Sequence, residues 1–362
     1  MKRIGYIYDR IYTMENLRLA HKQASKDKSH YNAVRTVNKD PDYYLRQIQE
    51  LLKNKTYEVS PYTYRTIWDK GKERKLSKLP YFPDRIIQWA IMLQLESTFN
   101  KTFTSFTCAS LKGRGIHQAA AITERYLQDI SGTAYCLKID VRKFYPNIDH
   151  AKLKELLSRK FKDPDLLELL SKIIDSIPGG VGLPIGSYLS QYLANFYLTY
   201  FDHYLKEQLK VEYVVRYMDD VIILTDSKER AHQLRQSIAT YLATTLKLEL
   251  KHNWQVFPVD ARGIDFVGYR HFHDYRLLRK STCKTMKRKL RRLKRKVDSG
   301  KDLSYRDYCS ANSYKGWLKW CNSYRLQDKY LAPLKSALDK YHSTKIKKKG
   351  GDPIETHRDC TG

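Results

Sequence analysis

The sequence predicts an α+β fold, and three observations predict it. Ala134 to Val141 is a short apolar run ending at a carboxylate, the pattern of a buried strand. Glu212 to Tyr217 and Asp219 to Thr225 are two more strand-like runs joined by a tight turn. Helical spacing dominates on either side, in Leu45, Ile48, Leu51 and Leu52 early in the chain and in Met286, Leu290, Leu293 and Val297 late in it.

In chain order, Thr13 to about Tyr57 is polar and helical in tone, with the clearest helix starting near Pro41. Asp69-Lys-Gly-Lys-Glu-Arg74 is expected to be a charged turn, followed by Lys78-Leu-Pro-Tyr-Phe-Pro-Asp-Arg85 and a helix from about Ile86 to Phe99. The strand at Ala134 to Val141 follows. Leu153 to Ile177 is expected to be helical until Pro178-Gly-Gly180 stops it. After Gly268 the character changes. Arg279 to Lys296 is an amphipathic helix with a basic outer face, and Tyr305, Tyr308, Tyr314, Trp317, Trp320 and Tyr324 are expected to supply mostly core packing behind it. From Lys345 to Gly362 there is charge, Gly and Pro without periodicity, so a flexible tail is expected.

Composition narrows the function. Hydrophobic residues make up 42% of the 362 residues and aromatics 12%, enough for real cores, yet the formal charge is +28. Such an excess repels itself unless a polyanion neutralises it, which points to nucleic acid. A membrane is excluded on the same reading: no stretch approaches the roughly 18 to 20 consecutive apolar residues of a bilayer span. Met1 to Arg10 lacks the apolar core of a signal peptide, and a cytoplasmic protein is expected. The six cysteines, Cys108, Cys136, Cys283, Cys309, Cys321 and Cys360, form no Cys-x-x-Cys or zinc-finger spacing and are read as reduced thiols.

The chemistry is concentrated in Tyr217-Met-Asp-Asp220. Two adjacent acids between the apolar runs Val214-Val215 and Val221-Ile-Ile-Leu224 repel one another, and a cation would remove the conflict. Asp140 offers a third carboxylate from a neighbouring strand. Hard oxygen ligands that leave room for water and phosphate suit Mg²⁺. In the two-metal arrangement, ions about 3.5 to 4 Å apart clamp the attacking hydroxyl and the leaving pyrophosphate, so the reaction implied is nucleotidyl transfer.

These residues resemble the motifs of reverse transcriptases. Tyr217-Met-Asp-Asp220 resembles their C motif, Asp140-Val-Arg-Lys-Phe-Tyr-Pro-Asn-Ile-Asp149 their A motif, and Gly182-Leu-Pro-Ile-Gly-Ser-Tyr-Leu-Ser-Gln-Tyr-Leu-Ala-Asn-Phe-Tyr-Leu198 their B motif. Phe82-Pro-Asp-Arg85, Leu248-Glu-Leu-Lys251 and Phe266-Val-Gly-Tyr269 resemble fingers, D-like and primer-grip motifs, all in the family's order. The resemblance implies a right-hand polymerase: fingers, a palm built on an antiparallel sheet with helices on one face, and a helical thumb. It implies an N-terminal helical extension at 1–60, fingers at 61–133, a palm at 134–272 with a helical insertion at 150–180, a thumb at 273–345 and a tail at 346–362.

It also implies roles. Asp140 and Asp219 would bind two Mg²⁺ ions, with Mn²⁺ able to substitute; the Val141 carbonyl would complete a coordination shell, and Asp220 would be an auxiliary acid. Lys251 would help protonate pyrophosphate, and Tyr145 would be the steric gate against ribonucleotides. Lys70, Lys72 and Arg74 would grip the triphosphate of the dNTP, with Ile185, Gly186 and Gln191 beside it. Phe266, Val267, Gly268 and Tyr269 would hold the primer. Arg114, Lys287, Arg288, Arg291, Arg292 and Arg295 would follow the phosphates of the RNA/DNA hybrid.

Many reverse transcriptases carry Gln-Gly and then Ser-Pro in the B motif, whereas this chain has Ile185-Gly186 and then Ser190-Gln191. That pattern resembles the enzymes of diversity-generating retroelements, which copy a template-repeat RNA with errors at adenines and assemble with a small, basic, helical, pentameric accessory protein. A group II intron-like reverse transcriptase or maturase is the nearest alternative. A non-catalytic RNA-binding scaffold of the same fold is the other, and the three acids argue against it, since like charges around an empty site are costly.

Overall fold

The computed structural model describes residues 3–69 and 71–349. The chain divides into two compact units: Met1–Gly115, Leu137–Ile223 and Glu229–Gln255 form the first, and Ile116–Cys136, Leu224–Lys228 and Val256–Gly362 the second.

The first unit opens with helices whose caps the sequence writes openly. Thr13 accepts from the Asn16 N–H at the start of Met14–Ser25, and Asp40 accepts from the Tyr43 N–H at the start of Pro41–Lys53, where Pro41 occupies the first turn. Leu45, Ile48 and Leu52 are buried from the latter helix, so its apolar stripe meets the core as expected. At the centre stands Ile86–Thr102, strongly apolar in its first half and buried at Ile86, Ile87, Ala90, Ile91, Met92, Leu95 and Phe99, with Met14–Ser25 and Tyr188–Tyr197 packed on it.

The hairpin β1 (Thr63–Asp69) and β2 (Lys72–Lys78) pairs Asp69 with Lys72, with Gly71 at φ +77. The charged turn expected over Asp69 to Arg74 is therefore much shorter, and Lys72 and Arg74 belong to a strand. A glycine at positive φ closes a hairpin within two residues, and a strand solvated on its faces tolerates alternating charge. Strand β3 (Tyr135–Asp140) neighbours β5 (Asp220–Thr225), whose other neighbour is β4 (Tyr213–Tyr217). Val221 to Leu224 are all buried, as a continuous apolar run in a central strand should be.

The single helix expected from Leu153 to Ile177 is two, His150–Lys160 and Pro164–Asp175. Asp163 and Pro164 supply a cap and a first-turn proline, which start a new helix rather than continue an old one. The Asp163 carboxylate accepts from the N–H groups of Leu166 at 3.2 Å, Ile7 at 2.6 Å and Tyr8 at 2.9 Å.

In the second unit, β6 (Gln255–Pro258) leads to the antiparallel meander of β7 (Ile264–Phe266), β8 (Tyr269–His271) and β9 (Arg276–Leu278). The basic helix runs over Lys280–Asp298 and buries Met286, Leu290 and Leu293. It is tied to Tyr305–Leu318 through Asp307, which completes a capping box with Ser304 and receives Lys289 at 3.3 Å and Lys296 at 2.9 Å.

The aromatic core expected behind that helix does not form. Tyr305, Trp320 and Tyr324 are exposed, Tyr324 by 84%, and Tyr308, Tyr314 and Trp317 are only half-buried. Ala311 and Leu318, seven residues apart, are the positions of Tyr305–Leu318 that enter the core, which leaves its rings on other faces. They stack locally instead: Trp320 on His117 at 4.5 Å, and Tyr308 on Tyr341 at 4.8 Å. The last helix, Lys335–Lys349, passes the expected thumb boundary because straight-chain lysines favour helix, so 346–349 is helical backbone rather than tail. Residues 350–362 lie outside the described residues, with Cys360 among them; Cys108, Cys136, Cys283, Cys309 and Cys321 are free thiols. No described helix is long and apolar enough to cross a membrane.

Candidate active site

The acids collect where three pieces of the first unit end together. Strand β3 delivers Asp140 at its last position, and the β4–β5 turn carries Met218 at φ +59, then Asp219, then Asp220 as the first residue of β5. The Val141 N–H donates to the Asp219 carbonyl at 3.3 Å and fastens the turn to the end of β3. On the far side, Glu249 to Lys251 runs alongside: the Lys251 N–H donates to the Asp140 carbonyl at 2.8 Å, the Arg142 N–H to the Glu249 carbonyl at 2.8 Å, and Val141 faces Leu250 in an antiparallel bridge.

Lysines answer the acids. The Lys251 ammonium donates to Asp140 Oδ1, and the Lys138 Nζ stands 3.6 Å from Asp220 Oδ2. Burial, and then the charge of Asp140 beside it, push the Asp219 carboxyl up to about 6. Tyr145, in a short turn after β3, directs its hydroxyl to Met218 Sδ at 3.9 Å; burial first, and then Asp219, raise its phenol well above the ordinary tyrosine range.

A carboxylate whose proton affinity is raised by burial and by a second carboxylate beside it makes with that neighbour a donor set that a hard divalent cation suits. Among the described residues no group of three or more His, Cys, Asp and Glu side chains is gathered closely enough to hold a metal ion unaided.

The remaining predicted residues fall in several places. Ile185 is joined to the hairpin, its carbonyl accepting from the Ser77 N–H at 3.0 Å; Gly186 follows at φ +120 and Gln191 lies on Tyr188–Tyr197. A cavity of about 320 Å³ beside them is lined by Arg65, Lys78, Arg85, Trp89 and Tyr188, among others. Lys70 lies outside the described residues, and so do the side chains of Lys72 and Arg74. Arg114 donates to the carbonyls of Thr104 at 2.6 Å and Thr107 at 3.0 Å.

In the second unit, Phe266 and Tyr269 pair across a turn made by Val267 at φ +42 and Gly268 at φ +90, a two-residue hairpin connection. A Cβ on Gly268 would lie 2.4 Å from the Trp317 ring, so that position excludes a side chain twice over. The basic helix shows two faces. Arg288 and Arg292 line a groove of about 1000 Å³ with Lys289 and Arg306, and Arg295 is exposed one turn on. Lys287 and Arg291 turn instead to Tyr330, whose hydroxyl receives Arg291 at 3.0 Å.

Two residues near the acids escaped the sequence reading. Lys138 precedes Asp140 by two and so shares its strand face, a signal that was present. Arg216 is a charged residue inside the apolar strand β4, also a signal, but its partners are remote in sequence.

A family profile described as reverse transcriptase (RNA-dependent DNA polymerase) matches residues 51–271. The chain belongs to the reverse transcriptase family. The α+β fold is the one that family carries, and the family is described by RNA-dependent DNA polymerase activity. The chain is similar to the group II intron-encoded protein LtrA of Lactococcus lactis subsp. cremoris, 28% identical over 131 residues, which is 36% of this chain and 21% of LtrA; LtrA of strain MG1363 matches equally. The match thus spans about a fifth of these relatives. Among solved structures, it is similar to telomerase from Candida tropicalis bound to a TWJ fragment of telomeric RNA (TM-score 0.47, 13% identity, 83% of this chain and 56% of that one). The apo telomerase gives a TM-score of 0.44 at 14% identity over 60% of this chain and 48% of that one.

Proposed function

We propose that this reverse transcriptase serves a diversity-generating retroelement, making error-prone, adenine-directed cDNA from a template-repeat RNA. One observation carries the reading: Ile185-Gly186 followed by Ser190-Gln191, where many relatives have Gln-Gly and Ser-Pro. A Gln amide donates and accepts hydrogen bonds and can restrain the incoming nucleotide; Ile only fills volume. Correct pairs lose a restraint that mispairs satisfied poorly, and about 1.4 kcal/mol of lost discrimination raises errors roughly tenfold. The adenine bias itself comes from the resemblance.

In this reading, Asp140 and Asp219 hold two Mg²⁺ ions, or Mn²⁺, with the Val141 carbonyl, and Asp220 is an auxiliary acid. When bound, the ions supply Lewis-acid stabilisation to the attacking 3′-hydroxyl and the leaving pyrophosphate. Lys251 gives a proton from its Nζ to the pyrophosphate. The Tyr145 ring fills the space a ribose 2′-hydroxyl would need. Lys70, Lys72 and Arg74 bind the triphosphate, Phe266 to Tyr269 hold the primer, and the basic helix tracks hybrid phosphates. Fingers, palm and thumb correspond to 61–133, 134–272 and 273–345, and the small pentameric accessory protein joins the enzyme on its RNA.

The test is sequencing of cDNA made from a template-repeat RNA under equal nucleotide supply. Errors concentrated opposite template adenine, reduced by Ile185→Gln, are expected. A parent that copies adenine as accurately as the other bases refutes the retroelement reading and leaves a group II intron-like enzyme, which the 28% identity to LtrA favours. Absence of any primer extension with Mg²⁺ would leave an RNA-binding scaffold.

A further inference from the structure

We infer that Arg216 is a positioning residue: it holds the Met218–Asp219 turn in the geometry that polymerisation requires, an inference that rests on Asp219 being a catalytic acid. Arg216 and Asp202 are an ion pair with both side chains fully buried. Taking two charges out of water is costly, and well-packed apolar residues of similar volume often serve stability as well or better. The pair therefore calls for a use beyond packing, and its geometry supplies one.

Asp202 receives the guanidinium fork twice, from Nε at 2.7 Å and from Nη2 at 2.5 Å, which fixes the plane of the group. Nη2 also reaches Thr107 Oγ1 at 3.4 Å, and Nη1 donates to Asn195 Oδ1 at 3.1 Å. The last bond goes from Nη1 to the Met218 carbonyl at 3.0 Å. Met218 sits at φ +59, a left-handed conformation that an ordinary L residue adopts only under constraint. Its carbonyl is gripped from one side by Arg216, while the next carbonyl, that of Asp219, accepts from the Val141 N–H. The turn carrying the acid is thus held at two consecutive peptide units by groups that cannot follow it if it drifts.

The other members brace the arginine. Thr107 Oγ1 donates to Asp202 Oδ2 at 2.9 Å, Asn195 Nδ2 donates to the Ala109 carbonyl at 2.9 Å, and the Arg216 backbone exchanges bonds with Phe106 and Cys108. A lysine would keep the charge opposite Asp202, but one ammonium cannot form the fork and also reach both Asn195 and Met218.

The experiment compares Arg216→Lys, Asn195→Ser, Asp219→Asn and Tyr8→Phe, the last removing a buried hydrogen bond to the Leu52 carbonyl that is remote from the turn. Primer extension gives kcat and the dNTP KM, thermal melting gives stability, and hydrogen exchange follows peptides covering 213–225. Arg216→Lys is expected to lower kcat about tenfold or more, since a displacement of order 1 Å can cost a hundredfold, while KM and hybrid affinity stay within about twofold. Exchange should rise in the turn beyond any general rise. Asn195→Ser leaves the ion pair standing and should act in the same direction to a smaller extent. Tyr8→Phe should lower the melting temperature with kcat retained. An Arg216→Lys enzyme with parental kcat, or one whose loss follows stability as that of Tyr8→Phe does, overturns the inference. If Arg216→Lys is insoluble, Asn195→Ser decides, and parental kcat there overturns it equally. Activity surviving in Asp219→Asn would instead overturn the assignment of the acid.

Discussion

Changing Arg288, Arg292 and Arg295 to Gln removes three charges from one face of the basic helix and leaves Lys287 and Arg291, on the face towards Tyr330, in place. Each phosphate neutralised contributes about 0.9 to the slope of log affinity against log salt on B-DNA, so three contacts amount to a slope change of about 2.7 on a hybrid of similar charge spacing. Between about 50 and 200 mM salt this is roughly a fortyfold difference in how much affinity is lost. Fluorescence anisotropy of a labelled RNA/DNA hybrid, titrated across that range of KCl, measures it for the parent, the triple variant and a Lys287→Gln/Arg291→Gln control. The triple variant should bind more weakly at low salt and with a flatter slope, and the control should nearly keep the parental slope. A parental slope in the triple variant, or equal flattening in the control, refutes the assignment of the binding face.

Three further outcomes are expected. Asp140→Asn and Asp219→Asn should each abolish cDNA synthesis in a primer-extension assay while hybrid affinity is retained, since on the proposed reading each would remove a ligand oxygen and not a basic contact. Tyr145→Ala should admit ribonucleotides when they compete with deoxynucleotides on one primer, and unchanged discrimination would place the gate elsewhere. His271, buried in β8 opposite Arg276, has its pKa lowered to about 3 by burial and then by that guanidinium. The unfolded chain therefore takes up this proton first: stability is full above about pH 6.5 and is lost as the pH falls from there towards 3. From pH 6.5 to 5 the loss is about 2 kcal/mol, so urea unfolding of His271→Leu should show a pH dependence shallower by that amount.

The sheet and its acids were readable because their signals are local. An apolar run such as Val221 to Leu224 directly after paired aspartates fits a buried strand rising from a charged tip and little else, and Asp140 ends a strand in plain view. The break at Asp163-Pro164 is equally local, since a capping acid before a proline marks a helix start, yet the apolar spacing that continues across it from Leu153 to Ile177 masks it. The second unit was harder for a different reason: which face of Tyr305–Leu318 enters the core depends on where Ala311 and Leu318 meet their neighbours, and six aromatic residues in sequence look like a core whether or not they form one. Arg216 lay hardest of all to interpret. Its charge in a strand was visible, but Thr107, Asn195 and Asp202 come together with it only through folding.

Asp163 has a consequence for the order in which the molecule is made. The N–H groups of Ile7 and Tyr8 find their acceptor on a residue 156 and 155 positions further along, and that carboxylate also caps its own helix. During synthesis the helix at Tyr8–Ile11 therefore emerges long before the group that anchors its first turn, and closing so long a loop is entropically slow. This segment, translated long before Asp163, is secured only after it. A ribosome paused before Asp163 would hold a nascent chain whose turn at Ile7 and Tyr8 is still open to proteases and chaperones, and it could close only after elongation had carried Asp163 out of the ribosome.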